Sequence, residues 1–329
     1  MNFTENDENY TTYTYGNVYR LTNVSYPDGS WTAYIYDGVG NRLTMKTSSS
    51  TTSYTYDEDN RILTAGSITY EHDENGNLIN RTDGNNITLY EYDYDNQLKG
   101  VTLPNSSTVI YQYSADKHRL NKTSSIDTTF YLYDRDNILM ELDENGDKTT
   151  FYAYGPNIDE PIYMMVSGAS YYYHADHLGS IRVLTNANED IVATYQYDAF
   201  GTILQETGSI NNPYRFTGRE WDVESGLYFY RARYYNAIIG RFLEKDPEGM
   251  VDGPNLYAYV KNNPINYKDP KGQEIQMAYN CLVWVYLCKY EFSHCYWKSW
   301  WNYVCVWKWK CRWRCAEWEI YFVFFPWTS

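Results

Sequence analysis

The sequence predicts an all-β protein, on three observations. Aromatic residues make up 19% of the 329 residues, and 39 of them are Tyr set among Thr, Asn, Asp and Gly. That mixture suits strands with one exposed face joined by tight turns. A Y-x-Y-D pattern recurs at steps near twenty residues: "YIYD" ending at Asp37, "YTYD" at Asp57, "YEHD" at Asp73 and "YEYD" at Asp93. Looser copies end at Ser114, Asp134 and Gly155, and "YTYG" at Gly16 precedes them all. Each copy is followed by a turn and a Leu-containing restart, as in "GVGNRLT" and "EDNRILT".

Each element of the repeat has a physical reason. Side chains alternate along a strand, so Tyr34 and Tyr36 share one face. The Asp, Asn and Gly that follow supply the left-handed dihedrals a hairpin turn needs. The next strand carries the Arg-Leu or Ile-Leu pair. One unit is one hairpin, and it cannot bury its own face, so the array must coil or stack. The expectation is one continuous, antiparallel, spiralling sheet across 1–250.

The net charge of −15 argues against a nucleic-acid partner for residues 1–272, because phosphate binding needs a positive footprint. The N-terminal "MNFTENDENY" has neither a basic region nor an apolar segment of the secretory kind. The expectation is a chain that is cytoplasmic before export and is secreted or surface-displayed by a route it does not itself encode. Composition changes sharply at Gly272. All 20 Gly lie at or before it, and all six Cys and nine of the eleven Trp lie after it. The tail carries six Lys/Arg against four Glu, a net +2, and the remainder carries −17.

Further along, "YYYHADHLGSIRVLTNANEDIVATYQYDAFG" (171–201), "NPYRFTGREWDVESGLYFYRARYYNAIIGRFLEKDPEG" (212–249) and "NLYAYVKNNPINYKDPKG" (255–272) follow the repeats. With the Tyr-Asp units, these stretches resemble the Rhs/YD-repeat family and its repeat-associated core, to which teneurins and the C-subunits of insecticidal toxin complexes are related. The resemblance covers residues 10–272. It implies a β-sheet wound into a hollow shell that encloses a variable C-terminal polypeptide, often a toxin. The domains expected are YD repeats (1–165), the repeat-associated core (166–249), a plug with the autoprotease motif (250–272) and a variable tail (273–329). The partners implied are the protein's own tail as cargo, an upstream shell portion or secretion-system component, and an immunity protein. The alternatives are an adhesion module whose Tyr faces contact glycans, and a displaced silent cassette with a decayed tail.

Asp-Pro-x-Gly occurs twice, at Asp246–Gly249 and Asp269–Gly272. One reading is turn chemistry alone: Pro fixes φ, Asp accepts from backbone N–H groups, and Gly takes the left-handed position. The other is an aspartyl autoprotease, in which paired carboxylates share a proton and act as base and acid on a peptide of the same chain. The resemblance maps the catalytic pair onto Asp246 and Asp269, with Arg233 of "RARYY" as the neighbouring cation. It places the cut at Gly272, Gln273 and Glu274. The family has Leu where this chain has Gln273.

No cofactor and no metal are expected. His174 and His177 have metal-like spacing but lack further ligands, and read as structural. Glu220, Asp222 and Glu224 alternate along one face and read as a solvated or Arg-paired edge. In the tail, Cys281, Cys288 and Cys295 recur at a spacing that fits one helix face. "CVWKWKCRWRC" (305–315) alternates at a strand's period, with Cys and Trp against Lys and Arg. A disulfide-stapled peptide in contact with a membrane, a decayed cassette and an aromatic plug are the three readings of it.

Overall fold

The computed structural model describes residues 10–278 and, further along, 290–297, 303–312 and 317–324. These fall into two compact units, Met1–Ala278 and Tyr279–Ser329. Among the described residues, no helix is long and apolar enough to cross a membrane.

The first unit is dominated by a 20-stranded sheet that runs from Thr12–Tyr15 to Ile203–Thr207. Every strand pairs antiparallel with its neighbours in sequence, so the sheet is an unbroken meander. The hairpin of Trp31–Tyr36 and Arg42–Thr47 shows how one repeat works. Tyr34 is buried, and the register slips between Ile35 and Tyr36, so that Tyr36 faces Arg42. The same slip recurs at Tyr56, Tyr113, Tyr133, Tyr154 and Tyr197. A bulge of this kind bends its strand and strengthens the twist. It also explains the restart doublets. Arg42 and Ile62 are buried, whereas the residues after them, Leu43 and Leu63, are squeezed outward and exposed.

The second Tyr of the pair has a further task in five of the units. Its hydroxyl donates to a backbone carbonyl at the start of a neighbouring strand: Tyr56 to Arg42 (2.9 Å), Tyr113 to Leu98 (2.6 Å), Tyr133 to Arg119 (3.0 Å), Tyr154 to Ile138 (2.8 Å) and Tyr197 to Ile181 (2.9 Å). Each of these five units is thereby fastened to the strand before it. Tyr197→Phe should lower unfolding stability by about 1–2 kcal/mol in a denaturant titration, because the buried Ile181 carbonyl loses its donor. The first Tyr of the pair points inward in these units: Tyr34, Tyr54, Tyr90, Tyr111 and Tyr152 are all buried.

The Asp closes the turn. Asp57 Oδ1 accepts from the amides of Asp59 (3.0 Å) and Arg61 (2.9 Å), and Asp93 Oδ1 accepts from Asp95 and Gln97 (2.9 Å each). The residue three places after the Asp is left-handed: Gly40 (φ 99°), Asn60 (64°), Gly76 (92°) and Asn96 (58°). Its amide returns to the Asp carbonyl, at 3.1 Å for Asn60 and 3.0 Å for Gly76.

The meander ends at Thr207, short of the 250 expected, and a separate small sheet follows. Glu220–Asp222, Leu227–Tyr230, Arg233–Asn236 and Arg241–Phe242 make four antiparallel strands. Both faces of this sheet are buried. Tyr228, Tyr230, Tyr235 and Phe242 pack on Ile138, Tyr152, Met164 and Ile181 of the large sheet. Leu227, Phe229 and Tyr234 pack on Tyr54, Tyr70, Leu98 and Tyr111. The unbroken aromatic run "LYFY" follows from this, because a strand covered on both sides has no polar face to alternate with. The large sheet therefore wraps the small one. Its last turn meets its first hairpins where Phe200 packs edge-on against Tyr34 at 5.3 Å, while among the described residues Thr12–Tyr15 and Ile203–Thr207 each pair on one side only.

Glu220 and Asp222 are not solvated. Both are buried and paired with Arg119, whose guanidinium lies 3.1 Å from Glu220 and 2.6 Å from Asp222. Glu224 pairs with Lys122 at 3.0 Å. His174 and His177 part company: one contacts Thr185 and the other the Ile265 carbonyl, each at 3.0 Å. No cluster of potential metal ligands exists among the described residues.

Within the second unit, Tyr290–Trp297, Tyr303–Arg312 and Glu317–Phe324 form a three-stranded antiparallel meander. The strand period read in 305–315 is matched as far as Arg312. Cys295 lies in a strand, opposite Cys305, and not on a helix face. Cys281 and Cys288 lie outside the described residues, as does Cys315.

Candidate active site

Both Asp-Pro-x-Gly turns are built like the repeat turns. Gly249 (φ 72°) and Gly272 (φ 66°) occupy the left-handed third position, and their amides return to the Asp246 and Asp269 carbonyls at 3.0 and 3.4 Å. What differs is where the carboxylates go. In a repeat turn such as Asp93, Oδ1 caps the amides two and four residues on. Asp246 Oδ1 caps only Glu248 (3.0 Å), whereas Asp269 Oδ1 caps Gln273 (2.9 Å) and Glu274 (3.2 Å). The remaining oxygens, both Oδ2, converge on one nitrogen, Arg233 Nη2, at 2.8 Å from Asp246 and 3.2 Å from Asp269.

Arg233 is fixed by its strand and by the groups around it. Its Nη1 donates to the Leu256 carbonyl at 2.9 Å and its Nε to the Gly272 carbonyl at 2.7 Å. Its guanidinium lies over the Phe242 ring, 3.7 Å from the centroid. A planar fork with every direction committed is a rigid organiser, which a lysine could not be. Gly272 fits for two reasons: its φ is left-handed, and a Cβ there would come within 2.5 Å of the Tyr230 carbonyl oxygen. The turn therefore seats directly on the Tyr230–Arg233 corner, where Ala232 donates to the Lys271 carbonyl at 3.3 Å.

The three sequence-predicted residues thus come together, and all three are buried. Burial raises the Asp269 carboxyl to about 6, with Asp246 and Asp252 adding to the effect and Arg233 and the Gln273 amide opposing it. Burial also raises Asp246, against the pull of Arg233. The guanidinium of Arg233 is itself shifted down by burial, less so for the two aspartates it serves. One carboxyl is thereby poised to hold a proton near neutrality beside another that shares its cation.

The segment after the turn is held in place. Gln276–Met277 pairs antiparallel with Tyr267–Lys268, and the Ala278 amide donates to the Asn266 carbonyl at 2.9 Å. The Gln273 side chain reaches Glu248 of the first turn at 3.4 Å, so a polar contact stands at the position where the sequence lacks the expected Leu. The site opens on a cavity of about 310 Å³ lined by Arg233, Asp246, Asp252, Asp269 and Ile275. Asp252 was not singled out by sequence. In "VDGPN" it reads as one more turn residue, and nothing local distinguishes it.

Comparison with known proteins places this architecture. A family model described as the teneurin YD-shell matches residues 1–265. The chain is 36% identical over 121 residues to the tRNA3(Ser)-specific nuclease WapA of Bacillus spizizenii, covering 35% of this chain and 5% of that protein. It is 38% identical over 107 residues to the toxin protein Tse5 of Pseudomonas aeruginosa, covering 32% of this chain and 8% of that protein. It thus spans only a small part of the relatives it matches. Among solved structures, the TcdB2–TccC3 complex aligns at a TM-score of 0.48 and 19% identity, over 80% of this chain and 18% of the other. With the family match extending from the first residue through the small inner sheet to residue 265, the chain belongs to the YD-shell family.

Proposed function

We propose that this chain is the C-terminal part of a toxin-related shell that cuts itself once at the second Asp-Pro-x-Gly turn and releases its tail. The observation that carries the reading is that both ends of one peptide bond are addressed. The carbonyl of Gly272 receives Arg233 Nε at 2.7 Å, and the amide of Gln273 meets Asp269 Oδ1 at 2.9 Å.

The chemistry balances with the residues present. Asp246, ionised, takes a proton from a water in the cavity, and the water oxygen adds to the Gly272 carbonyl carbon. The carbonyl electron pair moves to oxygen, where the Arg233 guanidinium stabilises the developing negative charge. Asp269, protonated, gives its proton to the Gln273 nitrogen as the C–N bond breaks. The products are a Gly272 carboxylate and a Gln273 amine. The reaction is intramolecular, so a large effective concentration is built in.

Release of the tail as an effector is supported by the change of composition at Gly272 and by the kinship to the Rhs-type proteins whose names are those of a toxin and a nuclease. On this reading a secretion component would deliver the released tail, and an immunity protein would protect the producing cell.

Intact mass of the purified chain tests the reading. A fragment of residues 273–329 should accumulate, and a cut one bond later would differ by one Gln. Because Asp269 must be protonated and its carboxyl titrates near 6, cleavage should speed up as pH falls from 8 toward 6. It should slow again in stronger acid as Asp246 is protonated, giving a bell. A chain that stays whole for days across that range would refute the proposal.

A further inference from the structure

Three successive amides on the leaving side of the proposed cut are held by carboxylates: Gln273 and Glu274 by Asp269, and Ile275 by Asp252 Oδ2 at 3.0 Å. Asp252 comes from the short 3-10 turn Met250–Asp252, in the connection between the two Asp-Pro-x-Gly turns. Its side chain is 24% exposed, and its other oxygen lies 3.9 Å from Lys261, a residue 62% exposed. So loose a surface pair contributes little, and the bond to Ile275 is the directed contact this carboxylate makes.

We propose that Asp252 is a positioning residue for self-cleavage, which anchors the chain at Ile275 so that the Gly272–Gln273 bond stays seated between Arg233 and Asp269. The proposal rests on the proteolytic reading. Anchored at Ile275 and again by the Gln276–Met277 strand, the segment cannot lift off the site without breaking both attachments. A peptide bond displaced by about 1 Å from its catalytic groups reacts roughly 10²-fold more slowly. Asp252 has a second effect through its charge, because it faces both aspartates across the cavity. The other charged groups lining that space are Arg20 from the first hairpin, Arg233 from the inner sheet, and Lys261 from the neighbouring turn.

Two experiments on the full chain test this. The first uses Asp246→Asn as an uncut background and measures hydrogen exchange at the Ile275 amide. Asp252→Ala should accelerate that exchange about 10–100-fold, while Asp252→Asn, which keeps an acceptor oxygen, should accelerate it far less. The second measures single-turnover cleavage in the otherwise native chain. Asp252→Ala should slow it about 10–100-fold, and Asp252→Asn should restore most of the lost rate. The alkaline limb of the Asp252→Asn profile should also move to lower pH, since a negative neighbour of Asp246 and Asp269 is gone. Unchanged exchange at Ile275 in Asp252→Ala overturns the proposal. So does wild-type cleavage in Asp252→Ala, or an Asp252→Asn chain as slow as Asp252→Ala with its limb unmoved. If the wild type never cuts, the proteolytic reading falls by itself, and the exchange measurement still decides whether Asp252 holds the segment.

Discussion

Asp269→Asn and Asp246→Asn chains should stay intact under conditions where the wild type is cut. Each substitution keeps the shape of the side chain and removes one proton-transfer step, which is worth about 10²–10⁴ in rate. For a single-turnover reaction the time to completion lengthens by the same factor. The two variants should also differ. Asp269 Oδ1 caps the Gln273 and Glu274 amides, and the corresponding Asn oxygen still can, so the turn should persist. Asp246→Asn removes the ionised partner closest to Arg233, at 2.8 Å, and leaves the guanidinium charge facing Asp269 alone. The Asp269 carboxyl should then titrate lower than in the wild type. Folding checked by circular dichroism, with fragment mass followed over days, separates lost chemistry from lost structure. Wild-type cleavage in either variant would show that these carboxylates are only turn caps.

The largest effect on stability is expected at Asp159. This residue is buried, with Arg219 Nη1 at 2.6 Å and Arg231 Nη2 at 2.7 Å on the same oxygen. Burial alone would raise its carboxyl, but the two guanidiniums prevail and hold it below its ordinary value. Removing the charge leaves the buried Arg219 with Glu220, at 3.3 Å, as its remaining carboxylate, and leaves Arg231 with backbone carbonyls. Asp159→Asn should cost about 3–5 kcal/mol, and on a unit of this size lower Tm by roughly 6–10 °C. A carboxyl whose folded pKa is depressed contributes stability above its unfolded value and loses it as pH falls through the folded one. The gap between wild type and variant should therefore narrow in strong acid. Asp59→Asn, at a side chain 64% exposed, should stay within about 0.5 kcal/mol of wild type. The Asp159 variant should cut slowly as well, because Arg231 joins Asp159 to the Pro270 carbonyl, inside the second Asp-Pro-x-Gly turn. A small Tm shift at neutral pH would mean that the two arginines find other partners.

Much of this architecture could be read from the chain alone. The Y-x-Y-D period located the hairpins, since strand alternation and turn dihedrals are local and leave their residues in order along the sequence. The catalytic candidates were reached through long motifs, and the Gly272 boundary through composition. The depth of Glu220 and Asp222 was not legible. An alternating acidic edge looks the same whether water or a buried Arg119 faces it, and Arg119 lies about a hundred residues away. Nor did the sequence separate the inner sheet from the outer one, since both are Tyr-rich strands joined by similar turns.

By itself, then, the sequence determined the local grammar: hairpins of about twenty residues, an Asp that caps most of the turns, and a left-handed residue three places on. Tertiary structure decided what the two Asp turns marked by the long motifs are brought against. Asp93 and Asp269 are written in nearly the same local code, but only the folded chain brings Asp246, Asp269 and the Gly272 carbonyl onto one buried guanidinium. The reason is physical. A turn depends on four or five consecutive residues, whereas a shared proton and a polarised carbonyl depend on separations of about 3 Å between residues far apart in the chain.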